Sequence, residues 1–298
     1  MNSPVAVLDI GGTHATAALV DPRSWHSLPG SRRRFPLDSQ AAAPGIVAVL
    51  AAAVRALEFP CEFLGVAVPG PFDYSTGIAR FTGVGKFDAL NGYDLRTALS
   101  RHCALPPDRI RFLNDAAAFG LGEHRRGALA GSRRGVALTL GTGVGSAFLE
   151  HGRVLTDGPR VPPQGRVDLL TIEGAPLEDM VSRRALLSAY RTATGRAIGD
   201  VADLAEQARR GDQAAAVIFT DAFTALGKAL GPWLERFAAE ALVVGGGISA
   251  AWDLFHEPFG AGLRQAGPPI PVRHSPDTEE SVEVGTAWYA AGDGHGPA

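Results

Sequence analysis

The chain has 298 residues, of which 46% are hydrophobic and 20% charged, and its formal net charge at pH 7 is -3. This composition is typical of a folded globular protein and argues against the strongly basic surface of a nucleic-acid-binding protein. The two cysteines, Cys61 and Cys103, exclude a disulfide framework and a structural zinc site built on cysteine.

The length suggests two domains, at about 150 residues per domain. No apolar run approaches the roughly 20 residues of a membrane-spanning helix, so no membrane partner is expected. Met1 to Pro4 lead directly into a strand-like segment, without the basic region or cleavage site of a signal peptide. These features predict a cytoplasmic protein.

The first predicted elements are two apolar strands joined by a glycine turn. Val5–Ile10 is a run typical of a buried strand, Gly11-Gly12-Thr13 is a tight turn, and Ala15–Val20 is a second apolar run. The same plan of strand, glycine turn and strand returns at residues 135–140, 141–145 and 146–149. The sequence therefore predicts an internally duplicated chain.

Strands and helices alternate along the rest of the chain, which predicts an α/β fold. Apolar periodicity and length predict helices at 42–57, 213–239 and 284–291, and strands at 64–68, 109–113 and 241–244. We place a small N-terminal domain at 1–115 and a large C-terminal domain at 116–283. The hinge lies near Asn114–Ala118, and the last segment, 284–298, crosses back to the first domain.

The glycine turns are candidate phosphate sites. A phosphate approaches the backbone closely only where no Cβ intervenes, and successive N–H groups there form an anion-binding concavity. Each turn alone can equally be a simple chain reversal; the two together, with Gly245-Gly246-Gly247, favour phosphate binding. A dinucleotide fingerprint is excluded because Gly141–Gly145 lacks its third glycine and leads into a strand, and no Walker A loop is present.

Two aspartates stand where predicted strands end. Asp9 could hold Mg²⁺ through water, because Mg²⁺ prefers oxygen ligands and keeps its waters, or it could simply cap the turn. Asp115 follows a strand and precedes a helix-like segment. It could be a helix N-cap, or it could accept the proton of an attacking hydroxyl while Asn114 orients the acceptor.

Five short segments form a series of sequence motifs along the chain. They are Asp9–Thr13, Gly65–Pro71, Leu113–Ala116, Leu140–Gly145 and Val243–Ser249. In order and spacing they resemble the motifs of the repressor, open reading frame, kinase (ROK) family, and the resemblance spans nearly the whole chain. It implies two ribonuclease H-like domains of the actin-like ATPase superfold, which close on a hexose and on Mg-ATP in an interdomain cleft.

The resemblance also implies roles for individual residues. Asp115 becomes the catalytic base that deprotonates the 6-hydroxyl of the sugar, and Asp9 the Mg²⁺ ligand, through water. The implied sugar ligands are Asn114, Gly70 and Glu178, the last within a Leu-Glu-x-x-x-Ser segment; without the family, Glu178 would be a solvated helix residue. The implied nucleotide contacts are Gly11, Gly12, Thr13, Thr142 and Gly143 for the phosphates and Gly245 and Gly246 for the adenosine.

The chain departs from the family in the segments that shape the sugar pocket. Pro162–Asp168 has neither cysteine nor histidine where most members carry a zinc-binding run, so no zinc is expected and Asp168 takes the place of the histidine. Lys86, otherwise an ordinary surface lysine, stands where the family has an asparagine, and could contact the sugar or a phosphate. With Asp88 and Asp168 nearby in the pocket segments, an amino sugar such as kanosamine is an alternative to glucose.

The sequence thus predicts an ATP-dependent sugar kinase that requires Mg²⁺ and acts on O6 of a hexose or amino sugar. The alternatives are a non-catalytic or regulatory sugar-binding ROK protein. A repressor of the family carries a helix-turn-helix domain ahead of the first phosphate strand, and here four residues precede that strand. A homodimer is expected from the resemblance alone.

Overall fold

The computed structural model describes residues 3–60, 62–83, 85–172 and 174–292. The chain divides into two compact units: unit 1 extends to Gly127 and resumes at Glu279, and unit 2 runs from Ala128 to Thr278. The sequence placed these boundaries earlier, at 115–116, and later, at 283–284. The part of the predicted crossing segment at 293–298 lies outside the described residues.

In its described residues up to Arg126, unit 1 has eight strands and three α-helices. In chain order they are β1 (Val5–Ile10), β2 (His14–Asp21), β3 (His26–Ser27), β4 (Arg33–Pro36), α1 (Ala43–Arg55), β5 (Leu64–Val68), β6 (Phe72–Asp73), β7 (Ile78–Ala79), α2 (Leu95–Cys103), β8 (Ile110–Asn114) and α3 (Asp115–Arg126).

The main sheet of unit 1 has the strand order β3-β2-β1-β5-β8, and β4 also pairs with β2. The pairs β1–β2 and β2–β3 are antiparallel, whereas β1–β5 and β5–β8 are parallel. The three parallel strands therefore end at one edge of the sheet. In open α/β sheets, ligands bind outside the carboxyl ends of such strands.

Unit 2 follows, and the part of it that the structure describes has seven strands and five α-helices. They are β9 (Arg134–Leu140), β10 (Val144–Glu150), β11 (Arg153–Leu155), β12 (Thr171–Ile172), β13 (Ala175–Pro176), α4 (Glu178–Val181), α5 (Arg183–Thr194), α6 (Val201–Arg209), α7 (Gln213–Phe237), β14 (Ala241–Gly245), α8 (Trp252–Ala266) and β15 (Val272–His274). The last helix, α9 (Thr278–Ala290), belongs to unit 1 from Glu279 onward.

The sheet of unit 2 repeats the plan of unit 1. Its order is β11-β10-β9-β14-β15, with antiparallel pairs β9–β10 and β10–β11 and parallel pairs β9–β14 and β14–β15. Each sheet is thus an antiparallel meander of three strands followed by two parallel strands. The predicted internal duplication is confirmed, as are the α/β class and both glycine hairpins.

Both faces of the sheet of unit 1 are covered, because side chains alternate between the faces of a strand. Ala6, Leu8 and Ile10 pack in a cluster with residues of α1 and α2. Val5 and Val7 point the other way and pack with α9, whose Val284, Ala287 and Ala290 are buried. Unit 1 therefore has three layers, and its third layer comes from a distant part of the chain.

The core of unit 2 is organised around α7. Its stripe of buried phenylalanine and leucine residues packs with the inward-facing residues of β9, β10 and β14. Within the described residues, α7 is the one helix long and apolar enough to cross a membrane, contrary to the prediction of no such run. Half of its most apolar stretch is buried inside the protein. A buried core helix can be as long and as apolar as a membrane-spanning helix, and the burial of α7 is typical of a core helix.

Candidate active site

The first hairpin, Gly11-Gly12-Thr13, joins β1 to β2. The N–H of Gly11 donates to the carbonyl of His14 at 2.9 Å, which closes the turn. The N–H groups of Gly12 and Thr13 donate no hydrogen bond to any described residue, and a Cβ added to Gly12 would have no heavy atom within 4 Å. Two open N–H groups beside free space can bind an anion such as a phosphate oxygen.

The second hairpin, residues 141–143, joins β9 to β10 in unit 2. The N–H of Gly141 donates to the carbonyl of Gly143 at 3.0 Å, and the Gly141 carbonyl accepts from the N–H of Arg183 at 2.9 Å. The N–H groups of Thr142 and Gly143 have no acceptor among the described residues. This hairpin is therefore a second candidate anion site, with a backbone anchor on α5.

The third glycine segment has a structural requirement of its own. Gly246 has φ 90°, and a Cβ there would lie 2.4 Å from the carbonyl oxygen of Leu140. Its N–H donates to Oγ1 of Thr278 at 2.9 Å, while Gly245 pairs with Thr139 in the sheet. The backbone thus brings the predicted adenosine residues beside the second hairpin, and the Gly246 N–H is already used.

Asp9 lies near the carboxyl end of β1, in register with Ala67 of β5. Within the described part of the chain its carboxylate accepts no hydrogen bond and forms no ion pair. Burial is the main cause that raises its pKa from 3.8 to about 7, and the charges of Asp115 and Glu283 add to the rise. A desolvated carboxylate without a partner, beside a second carboxylate, attracts a cation.

Asn114 and Asp115 stand at the end of β8, where α3 begins. Asn114, not Asp115, is the N-cap of α3: its Oδ1 accepts from the N–H groups of Ala116 and Ala117 at 3.0 and 3.2 Å. The reading of Asp115 as the N-cap is therefore wrong. The Asn114 side chain caps because it is the last residue with strand-like φ and ψ, and capping frees the Asp115 carboxylate.

The Asp115 carboxylate accepts from Nδ2 of Asn114 at 2.9 Å and from the N–H of Ala116 at 3.0 Å. Burial raises its pKa, while the Ala116 N–H, the charge of Lys86 and the Asn114 amide lower it. The predicted contact residue Lys86 therefore interacts electrostatically with the predicted base. Asp9 likewise interacts electrostatically with Asp115.

Glu178 begins the four-residue helix α4 in unit 2. Its Oε1 lies 2.3 Å from the position of a Cβ added to Gly143, so the carboxylate covers the second hairpin. Among the described residues the Glu178 carboxylate has no hydrogen-bond or ion-pair partner. The Ser182 N–H donates to the Glu178 carbonyl at 3.2 Å, one helical turn along the chain, and the Ser182 hydroxyl caps α5.

The other residues of the predicted sugar-pocket segments differ in their surroundings. Asp168 forms an ion pair with Arg166, with 3.1 Å between Nε and Oδ1, and its side chain is 12% exposed. Gly70 lies beside Tyr74, whose hydroxyl oxygen is 3.5 Å from the position of an added Cβ. Asp88 is exposed at the start of a short 3₁₀ turn.

The family model that matches this sequence is described as the ROK family, and it matches residues 5–266. The chain belongs to the ROK family. The match contains both glycine hairpins, Asp9, Asp115 and the glycine segment after β14, so the residues that form the candidate site are within it.

Similar proteins of the ROK family include sugar kinases. The glucokinase of Thermotoga maritima is 31% identical over 219 residues, which cover 66% of this chain and 67% of that protein. The ROK hexokinase of Thermus thermophilus has 25% identity and a TM-score of 0.77, covering 98% of this chain and 100% of that one. A ROK family glucokinase from Streptomyces griseus, solved with glucose and AMPPNP, has 24% identity and a TM-score of 0.78, covering 97% and 100%.

The ROK fold is thereby established for this chain, and the actin-like ATPase architecture predicted from the sequence is confirmed. Among the described residues of this ROK protein, no group of three or more His, Cys, Asp or Glu side chains could hold a metal ion. A cation at Asp9 would therefore need ligands other than a cage of protein side chains. The absence of zinc stays a prediction.

Two contacts of this ROK protein were not predicted. Oγ1 of Thr13 lies 2.9 Å from Nδ1 of His14, beside the open N–H groups of the first hairpin. The Tyr74 hydroxyl accepts from Nδ2 of Asn114 at 3.2 Å. The sequence did not indicate the Tyr74 contact, because a tyrosine near a strand end is most often a packing residue.

Proposed function

We propose that this ROK protein is an ATP-dependent sugar kinase that transfers the γ-phosphoryl group of ATP to O6 of a hexose or amino sugar. The observation that carries the proposal is the Asp115 carboxylate, which is desolvated, is oriented by Asn114 and interacts electrostatically with Asp9, a carboxylate without a partner among the described residues. The O6–H bond breaks with the proton passing to Asp115, the bond between O6 and phosphorus forms, and the bond from phosphorus to the β–γ bridging oxygen breaks.

The electrostatic environment suits Asp115 to this role. A general base works best when its pKa lies near the working pH, and burial raises the pKa of Asp115 toward that range. The Lys86 charge and the Asn114 amide act in the opposite direction and favour the ionised carboxylate. Phosphoryl transfer asks mainly for positioning and charge stabilisation, which a fixed carboxylate and open backbone donors supply.

The residues around Asp9 fit a hydrated Mg²⁺ ion. Mg²⁺ keeps several waters and is usually held by one or two carboxylates and the substrate phosphates, and Asp9 is one such carboxylate without a partner in the described chain. When bound, Mg²⁺ neutralises negative charge on the phosphates. Asp9 contributes a carboxylate, and the first hairpin contributes N–H donors. Neither contribution requires a metal site formed by several protein side chains.

We assign the hairpins to the phosphates of ATP. Gly11, Gly12 and Thr13 supply donors in unit 1, and Thr142 and Gly143 supply donors in unit 2. Gly245 and Gly246 lie against the adenosine, where the role of Gly246 is to permit a close backbone approach, since its own N–H is bonded to Thr278.

For the sugar, we propose contacts from Gly70, Lys86 and Glu178, and from Asn114 where a sugar hydroxyl replaces one of its present hydrogen-bond partners. Glu178 is the strongest of these, because a half-buried carboxylate without a partner among the described residues can accept hydrogen bonds from sugar hydroxyls. Asp168 can take part only if the sugar competes with Arg166 for its carboxylate. Acidic groups also suit an ammonium, so both glucose and kanosamine are proposed acceptors.

The decisive experiment is a coupled ADP-release assay with glucose, mannose, N-acetylated sugars, glucosamine and kanosamine, each with and without Mg²⁺. Stimulation by one of these sugars that depends on Mg²⁺ supports the kinase. If none stimulates ADP release while calorimetry detects sugar binding, the protein is a non-catalytic or regulatory sugar-binding member. A cytoplasmic location and a homodimer stay predictions.

A further inference from the structure

Tyr74 connects the ends of two neighbouring strands in unit 1. Val68 ends β5 and Asn114 ends β8, and the two residues are register partners in the parallel pair. The Tyr74 hydroxyl accepts from Nδ2 of Asn114 at 3.2 Å and donates a long hydrogen bond to the carbonyl of Val68 at 3.4 Å. One hydroxyl therefore spans the edge of the sheet where Asp115 begins α3.

The turn that carries Tyr74 is itself held in place. Asp73 accepts from the Ser75 hydroxyl at 2.7 Å and from the Thr76 N–H at 3.1 Å, and these hydrogen bonds lower the pKa of Asp73 to about 2. Nη2 of Arg96 donates to the carbonyl of Ser75 at 2.9 Å. The position of the Tyr74 hydroxyl is thus set by the hairpin of β6 and β7 and by α2.

The Asn114 amide has all its hydrogen-bonding groups occupied. Its Oδ1 caps α3, one N–H of Nδ2 points to the Tyr74 hydroxyl, and Nδ2 also donates to Oδ1 of Asp115. An amide held on both ends cannot rotate without losing a partner. The orientation of the donor that reaches Asp115 consequently depends on Tyr74.

We propose that Tyr74 is a positioning residue, which fixes the Asn114 amide and through it the carboxylate of Asp115. The proposal rests on the kinase function proposed above. Tyr74 touches no reacting atom in this scheme. It acts by keeping the Asn114 donor aimed at Asp115, whose other charged neighbours are Lys86 and Asp9.

The test is Tyr74→Phe, which removes the hydroxyl and keeps the ring that packs on Phe72. The matched control is Tyr93→Phe, because Tyr93 packs against the same apolar cluster and its hydroxyl makes no hydrogen bond to the described residues. We expect kcat with the best sugar to fall about three- to tenfold in Tyr74→Phe and to be unchanged in the control.

The pH dependence separates positioning from simple destabilisation. A weaker hydrogen bond from Asn114 raises the pKa of Asp115, so the acid limb of the kcat profile moves to higher pH in Tyr74→Phe. The same shift is measured without turnover by carboxyl carbon NMR of Asp115. A lower melting temperature with an unchanged acid limb and unchanged NMR titration overturns the proposal.

A double-mutant cycle identifies the path of the effect. Asn114→Ser keeps an oxygen that caps α3 but removes the amide nitrogen. In that background Tyr74→Phe is expected to change kcat less than twofold, because the group it holds is gone. An equal loss in both backgrounds, or a rise in sugar KM with kcat unchanged, overturns the proposal and indicates direct contact with the sugar.

Failure of the kinase function gives a different result. If wild-type protein turns over no sugar, the kinetic comparison ends, but the NMR titration of Asp115 in Tyr74→Phe and Tyr93→Phe still tests the contact. If wild type is active and Tyr74→Phe matches it in kcat, pH profile and titration, the kinase stands and the role of Tyr74 is lost.

Discussion

The two glycine hairpins stand at the same place in two sheets of the same strand order, yet the groups around them differ in charge. In unit 1, Asp9 lies two residues before Gly11; in unit 2, the residue two before Gly141 is Thr139. The parallel strands are β1, β5 and β8 in unit 1 and β9, β14 and β15 in unit 2. The last of each set shows the same contrast, because β8 is followed by Asp115 and β15 by Ser275.

This difference indicates that the duplicated scaffold has divided its tasks. Unit 1 keeps two carboxylates at the strand ends, both with a raised pKa, and an open hairpin. Unit 2 keeps uncharged strand ends, a close-packed glycine segment and a hairpin covered by Glu178, which arrives from the segment between β13 and α5. Under the proposed function, proton transfer falls to the first unit, and the second unit supplies backbone contacts to the nucleotide.

The largest expected effect comes from removing the base in unit 1. Asp115→Asn should reduce kcat by about 10³-fold, since a positioned general base contributes roughly 10²–10⁴. The melting temperature should stay close to that of wild type, because Asn114 still caps α3. A near-normal kcat in the ADP-release assay would show that proton acceptance lies elsewhere and would remove the main contrast between the units.

Asp9→Asn should reduce kinase activity and raise the free energy of unfolding. The folded-state pKa of about 7 lies above 3.8, so the native protein binds more protons between these values and loses stability as pH rises through them. Without Mg²⁺ at pH 8, the variant should gain about 1–3 kcal/mol in unfolding free energy, after allowance for partial exposure. Below about pH 4 the gain should vanish.

Urea denaturation in EDTA at the two pH values measures this gain. Asp221→Asn is the control, because Asp221 is exposed on α7. An equal free energy of unfolding for Asp9→Asn and wild type at pH 8 would mean that the Asp9 carboxylate is solvated or paired in the folded protein, contrary to the structure.

Gly12→Ala tests the open hairpin of unit 1. The new methyl group meets no protein atom within 4 Å, so folding stability should be unchanged. It does occupy the space over the open N–H groups, and KM for ATP should rise about tenfold through loss of close phosphate approach. Gly45→Ala in α1, where the nearest atom is 3.9 Å away, is the control. An unchanged KM for ATP would assign the first hairpin to chain reversal.

Gly143→Ala tests the covered hairpin of unit 2 and should have the smallest effect. The added Cβ would lie 2.3 Å from Oε1 of Glu178, which must move. Because a flexible side chain moves easily, we expect sugar KM to rise about threefold, the scale of one weakened hydrogen bond. In a Glu178→Ala background the rise should disappear; if it persists, the effect does not pass through Glu178.

The sequence was sufficient for the features that depend on neighbouring residues. Short apolar runs ending in glycine predicted both hairpins, and β5 and α7 begin where the periodicity placed them. Helix α9 begins earlier than expected, at Thr278, because its first turn is polar and forms ion pairs such as Glu279 with Arg32. Such pairs join distant parts of the chain, so no local pattern announces them.

The candidate site shows the same limit. Candidate roles for Asp9 and Asp115 were identified from their places at strand ends. The alternative that Asp115 is a helix N-cap is wrong, because the adjacent Asn114 caps α3 and both residue types can cap. The approach of Glu178 to Gly143 and the Tyr74 contact depend on how loops fold over the sheet edge. Sequence spacing carries no information about either.

Helix α9 has a consequence for the way the protein is made. It follows the whole of unit 2 in the chain, yet it covers Val5 and Val7 in unit 1. A ribosome therefore synthesises residues 128–278 while one apolar face of the first sheet still lacks its cover. During that interval the exposed apolar face of the first sheet can bind chaperones or neighbouring chains. Residues 128–278 of unit 2 form one continuous segment, which can pack as soon as it emerges from the ribosome.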